Sequence, residues 1–187
     1  MKKTLIYCAV WTIAFVYCGT ITAAEKIDVS KVITKSDAEA VLGVPVNDAE
    51  GRNKKAADGF YDSEWSYYAV KGNKALVLNL FSPGRHAPPH LAQTMFSAFP
   101  VGGGKSTKVD GIGDKAIFYH DKSGLEMMNI LKGQVLLTIG IHGMPAKTAL
   151  EQEKSITKKI LAKLERLTSV TRCPLAFAGV RQPITRR

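Results

Sequence analysis

Residues 1–24 set the first constraint on this chain, because they belong to an address rather than to a fold. Met1-Lys2-Lys3 gives a positive start, and Thr4 to Cys18 is an almost unbroken apolar run. Gly19-Thr20-Ile21-Thr22-Ala23-Ala24 then supplies small residues at which a signal peptidase cuts. This three-part pattern reads as a secretory leader. A spanning helix needs about 20 apolar residues, and Leu5 to Cys18 is shorter, so cleavage after Ala24 is expected over a retained anchor. A lipid anchor is not expected either, because Cys18 follows Phe15-Val16-Tyr17 and the bulky Tyr17 spoils the required box. The expected location is periplasmic or secreted, in a bacterium, with no stable membrane insertion after cleavage. ATP, NAD and reducing thiols are scarce there, and no cofactor is expected.

Without the leader, 163 of the 187 residues remain, the size of one ordinary domain. We place that domain at residues 25–170 and a flexible basic tail at 171–187. Cys8 and Cys18 leave with the leader, so Cys173 is the sole mature cysteine and the fold must hold by packing alone. Removing Lys2 and Lys3 leaves 24 basic against 16 acidic side chains, a net +8, of which Arg172, Arg181, Arg186 and Arg187 of the tail carry half. Such an excess favours a protein or anionic envelope partner. Nucleic acid is not expected, since no basic stripe interleaved with aromatics and no recognition-helix motif is present.

The pattern after the leader alternates helix and strand signals. Ser36-Asp37-Ala38-Glu39 reads as a capping box opening a short helix that Gly43 ends. Residues 45–61 are polar and charged and read as an exposed loop. Glu64 to Val70 and Ala75 to Phe81 alternate with period 2 around Lys71-Gly72-Asn73-Lys74, which predicts a hairpin. His90 to Phe99 has helical spacing and Pro100 stops it, and Gly102 to Gly113 reads as a glycine loop. Three further strands fit residues 115–141, the last two joined at Lys132-Gly133. Ala149, Ile156, Ile160, Leu164 and Leu167 mark the stripe of a final amphipathic helix. The two hairpins echo each other, each with a Lys-Gly turn and each followed by a proline (Pro83, Pro145) and a helix. Duplication and convergence explain this equally well. The expected fold is therefore α+β: a mostly antiparallel sheet of about five strands with helices packed on one face, built from two hairpin-plus-helix units.

No grouping in the chain points to a reaction, and no catalytic residue is assigned. Gly102-Gly103-Gly104-Lys105-Ser106 resembles a phosphate loop, but Phe99 stands where its first glycine belongs and Pro100 replaces the preceding strand. No serine lies in a G-x-S-x-G turn, and Asp110, Asp114 and Asp121 sit beside glycines as turn residues do. His86 and His90 are spaced for one helical face and are the metal candidates, yet Pro88-Pro89 between them forbids that helix. His120 and His142 would have to join them in space. Tyr68, with Phe81 or Tyr119, is the candidate aromatic patch for a ligand, against a reading of these rings as ordinary core.

Two stretches carry a resemblance. Ile33-Thr34-Lys35-Ser36-Asp37-Ala38-Glu39-Ala40-Val41-Leu42-Gly43-Val44-Pro45 and Val109-Asp110-Gly111-Ile112-Gly113-Asp114-Lys115-Ala116 resemble small exported bacterial proteins and lipoproteins of unknown function. In those, a short helix ending in Leu-Gly precedes a sheet, and a Gly-x-Gly-Asp turn leads into a strand. The resemblance spans roughly residues 30–167 and implies an extracytoplasmic α+β domain of the sensor or ligand-binding sort without known catalysis. Lipid anchoring does not carry over. The function expected is a non-catalytic exported domain that binds a protein, an envelope glycan or a small ligand. The alternatives are an inhibitor of an extracellular enzyme presenting Gly102 to Gly113, or a metal-binding protein built on the histidines.

Overall fold

The computed structural model describes residues 27–99, 105–120 and 123–170; residues 1–26, 100–104, 121–122 and 171–187, and with them the expected leader, the expected tail and Cys173, lie outside the described residues. One seven-stranded antiparallel sheet runs through the described residues, in the order β1-β2-β3-β7-β6-β5-β4. Its strands are β1 (Glu50–Lys55), β2 (Tyr61–Tyr68), β3 (Ala75–Ser82), β4 (Lys105–Lys108), β5 (Lys115–His120), β6 (Leu125–Lys132) and β7 (Val135–His142). The helices are α1 (Val29–Val32), α2 (Lys35–Leu42), α3 (Leu91–Ala98) and α4 (Ala146–Val170). The two strand meanders meet where β3 pairs with β7, with Leu76 opposite Ile141, Leu78 opposite Ile139 and Leu80 opposite Leu137.

Period 2 sorts the strands into two faces. On the inner face Tyr61, Tyr67, Leu76, Leu78, Leu80, Ala116, Phe118, Met128, Ile130, Leu137, Ile139 and Ile141 form one buried core with Ile33, which caps α1, and with Val29, Leu42, Ala149, Ile156, Ile160 and Leu164 of α1, α2 and α4. Polar side chains in this core tie elements together. Ser63 on β2 accepts from the Val29 amide at the first turn of α1 (3.2 Å), and the Tyr67 hydroxyl donates to the Ile33 carbonyl. Thr34 and Asp37 form the capping box of α2, two residues before the expected Ser36, because Thr34 holds the extended backbone of an N-cap. Gly43 closes α2 in the left-handed conformation (φ 66°), and Lys74 donates to the Leu42 carbonyl at 2.7 Å.

Two features depart from the expected architecture. The sheet has seven strands rather than about five, and its helices cover both faces rather than one. The additional strands are β1, within the expected loop 45–61, and β4, within the glycine loop. All six residues of β1 and all four of β4 are exposed. Each is an edge strand held by backbone bonding to one neighbour, so neither needs apolar alternation, and charge on an edge discourages further pairing. The helix after the first hairpin, α3, packs Ala92 and Phe96 against Leu131 and Leu136, with Phe81, Met95 and Ile117 around them, on the outer face. The helix after the second hairpin, α4, covers the inner face. The hairpins echo each other in sequence, but the two hairpin-plus-helix units do not pack alike.

The Gly-x-Gly-Asp stretch is a clamp between two turns. Gly111 and Gly113 take positive φ (76° and 59°), which aims Asp114 across to the β6–β7 turn. There its carboxylate accepts from the Gly133 amide at 2.6 Å and from Lys132 Nζ at 3.2 Å, while its own amide donates to the Leu131 carbonyl at 2.8 Å. The Gly133 bond is the main cause holding the Asp114 carboxyl below the ordinary range, with Lys132 assisting against partial burial. Asp114→Ala should lower stability by about 1–2 kcal/mol in urea unfolding near neutral pH. Because the folded value is depressed, that difference should hold above the ordinary carboxylate range and shrink as pH falls through the folded value. At the other edge, a Cβ on Gly51 would come within 2.1 Å of the Glu64 carbonyl oxygen and 2.9 Å of Trp65 Cδ2. Gly51→Ala should therefore loosen β1 from β2, read as faster amide exchange at residues 61–68 with little change in β6 and β7.

Candidate functional site

Two places in the fold bring polar or aromatic side chains together. The first is the half of the outer face that α3 leaves uncovered. The eight-residue α3 seals the end of the face carrying Phe81, Leu131 and Leu136. Next to it Asn79, Thr138 and Asn129 stand side by side on β3, β7 and β6, with Asn79 and Thr138 partly exposed and Asn129 buried. Thr138 donates to Asn129 at 2.8 Å, and Asn79 donates to Asp62 at 3.0 Å. The next row is Ser66, Val77, Gly140, Met127 and Tyr119, and the last is Tyr68, Ala75, His142 and Leu125. Gly140 lowers the floor at the middle, because it places no side chain between Val77 and Met127. Tyr68 is 44% exposed, while Val77, Met127, Tyr119, Leu125 and His142 are partly exposed.

The three aromatic candidates share this outer face but do not touch as one cluster. Tyr68 on β2 and Tyr119 on β5 are four strand intervals apart, roughly 19 Å at about 4.8 Å per interval. They bracket the open half from either side. Phe81 lies at the other end of β3, half-buried beside α3, with its ring edge-on to Phe60 at 5.7 Å. The metal candidates His86 and His90 are exposed in the turn that follows β3, and His90 opens α3 with a left-handed backbone (φ 63°). His142 pairs with Ala75 at the far end of β3, roughly 20 Å away along the strand. His120 shares the inner face with Glu126, whereas His142 lies on the outer face, so the four imidazoles do not converge. Among the described residues no group of three or more His, Cys, Asp or Glu side chains is placed to hold a metal.

The second place is a buried acid pair on the inner face. Glu126 begins the core-facing series of β6 and is 1% exposed, and Glu153 sits in the apolar stripe of α4 and is 0% exposed. His120 Nδ1 lies 2.6 Å from Glu126 Oε1, with the imidazole about half exposed at the sheet margin. The other oxygen of Glu126 and both carboxyl oxygens of Glu153 are buried without a hydrogen-bond partner. Burial, then the charge of Glu126, pushes the Glu153 carboxyl up to about 9; the Ile141 backbone amide pulls the other way without reaching hydrogen-bond geometry. Glu153 is therefore neutral at pH 7.

The acid pair was not singled out from sequence, although its signal was there. Glu153 stands four residues after Ala149 and three before Ile156, inside the apolar stripe, and Glu126 shares its strand face with Met128 and Ile130. An acid at a core position is the informative exception. His120→Ala should leave Glu126 Oε1 without its hydrogen bond and lower stability by about 1–3 kcal/mol, measured by denaturant unfolding.

No protein-family model matches the chain, and no curated protein matches it. Among solved structures it is similar to the extracellular domain of PknH from Mycobacterium tuberculosis, at 11% identity over 73% of this chain and 94% of that one, with a TM-score of 0.43. No helix among the described residues is long and apolar enough to cross a membrane.

Proposed function

We propose that this chain is an exported, non-catalytic binding domain that meets its ligand on the open half of the outer sheet face. The observation that carries the reading is the partial cover: α3 seals one end of that face and leaves exposed Tyr68 and part-exposed Tyr119 bracketing a shallow floor at Gly140. Aromatic rings with a polar tip are well suited to such contacts, since they bring large rigid area and one hydrogen-bonding group. The polar side chains of the floor are already bonded to one another at Thr138–Asn129 and Asn79–Asp62, an arrangement suited to contact rather than to proton transfer. The ligand class is a protein, an envelope glycan or a small molecule, and export by the leader would place the domain among them.

Cosedimentation with purified cell-wall glycan, and capture from solubilised envelope protein, test this with Tyr68→Ala and Tyr119→Ala. Both positions lie outside the main core, so both variants should fold. Each should weaken binding by about tenfold, the loss typical of an aromatic anchor. Binding that is the same in both variants and in their double would place the contact elsewhere and sink the reading.

A further inference from the structure

We propose that the seat of α4 on the sheet is a proton-sensitive latch, closed while one proton resides on the Glu126–Glu153 pair and loosened when that proton leaves.

The geometry points this way because two acids from two packed elements are sealed in one apolar core. Glu153 comes from α4 and Glu126 from β6, and α4 lies across β6 and β7. Three of their four oxygens have no hydrogen-bond partner. A buried polar group without a partner is costly, and a buried unpaired charge far more so. The arrangement is tolerable with one acid neutral and untenable with both ionised, since like charges then repel in a medium that screens them weakly.

Among the described residues, nothing that acts on the Glu153 carboxyl is a cation. From β6 it meets Glu126, which acts against its ionisation; from β7 it meets the Ile141 backbone alone. His120 of β5 is bonded to the far oxygen of Glu126. On α4 itself, the Thr157 hydroxyl donates to the backbone carbonyl of Glu153 and not to its carboxyl, and Lys154 is turned to Glu151. On the α1 and α2 side, Asp28 and Asp37 act on Tyr67, and Asp37 is paired with Lys159.

The direction follows from linkage. The folded-state value of Glu153 lies above its ordinary value, so the folded chain holds a proton that the unfolded chain has released. Stability is therefore greatest below the ordinary carboxylate range and declines as pH rises toward about 9. The proton passes to bulk base, and the cheapest relief is for the α4 segment around Glu153 to lift rather than for the sheet to open. An exported domain meets ambient pH directly, so such a latch would make the cover of the inner face responsive to it.

Amide hydrogen exchange on the whole chain, corrected for the intrinsic pH dependence, tests this. From about pH 6 to about pH 9 the α4 amides of residues 149–160 should lose at least about tenfold in protection, while β2 and β3 amides hold theirs. Glu153→Gln should flatten that profile. No loss in α4, an equal loss across the sheet, or the same loss in Glu153→Gln would each overturn the latch. Should Glu153→Gln fail to fold, Glu126→Gln decides: without the neighbouring charge the loss should be smaller, and an undiminished loss overturns the proposal.

Discussion

The pairing of β3 with β7 is the contact on which the rest of the structure depends. It joins two meanders, β1-β2-β3 and β7-β6-β5-β4, that would otherwise each expose an apolar edge. Along it Leu76, Leu78 and Leu80 face Ile141, Ile139 and Leu137, and all six side chains are buried. Losing one such side chain from a core typically costs about 2–5 kcal/mol. That is a large share of the net stability of a domain of this size. Once this seam is set, the register dictates which side chains look inward toward α1, α2 and α4 and which look outward toward α3.

The two faces then diverge in character. The inner face is long, apolar and roofed over its centre, and the 25-residue α4 runs along it with α1 and α2 filling the β2–β3 end. Among the described residues the helix on the outer face covers one end of it, because α3 has eight residues and its cluster has four buried side chains. What remains is of mixed chemistry: a part-exposed amide (Asn79) and hydroxyl (Thr138) beside the buried Asn129, the side chains of Val77 and Met127 around Gly140, and a tyrosine on either flank. Among the described residues the buried acid pair stands out as an unfavourable feature of the inner face, with three of its four carboxyl oxygens unpartnered.

Much of this layout can be read from residue order, and the exceptions have a common cause. The central strands and α4 announce themselves through periodicity, because each buries a face. Strands β1 and β4 are hidden in stretches such as Glu50-Gly51-Arg52-Asn53-Lys54-Lys55, whose side chains all face water and whose strand character rests on backbone bonds to β2. Alternation alone puts the three aromatic candidates on one face of the sheet, but strand order decides that Tyr68 and Tyr119 stand four intervals apart and that Phe81 lies beneath α3. The histidines show the same limit: His120 and His142 are close to the same sheet margin, yet parity turns them to opposite faces.

Sequence by itself determined the α+β class, the central hairpins and the amphipathic stripe of α4, since each is a local pattern of turn residues or burial period. Tertiary structure alone decided which face each helix covers, which edges carry strands, and that Glu126 and Glu153, 27 positions apart, share one dry interior. The physical reason is that periodicity tells a side chain whether to hide, whereas strand order and helix placement tell it with whom.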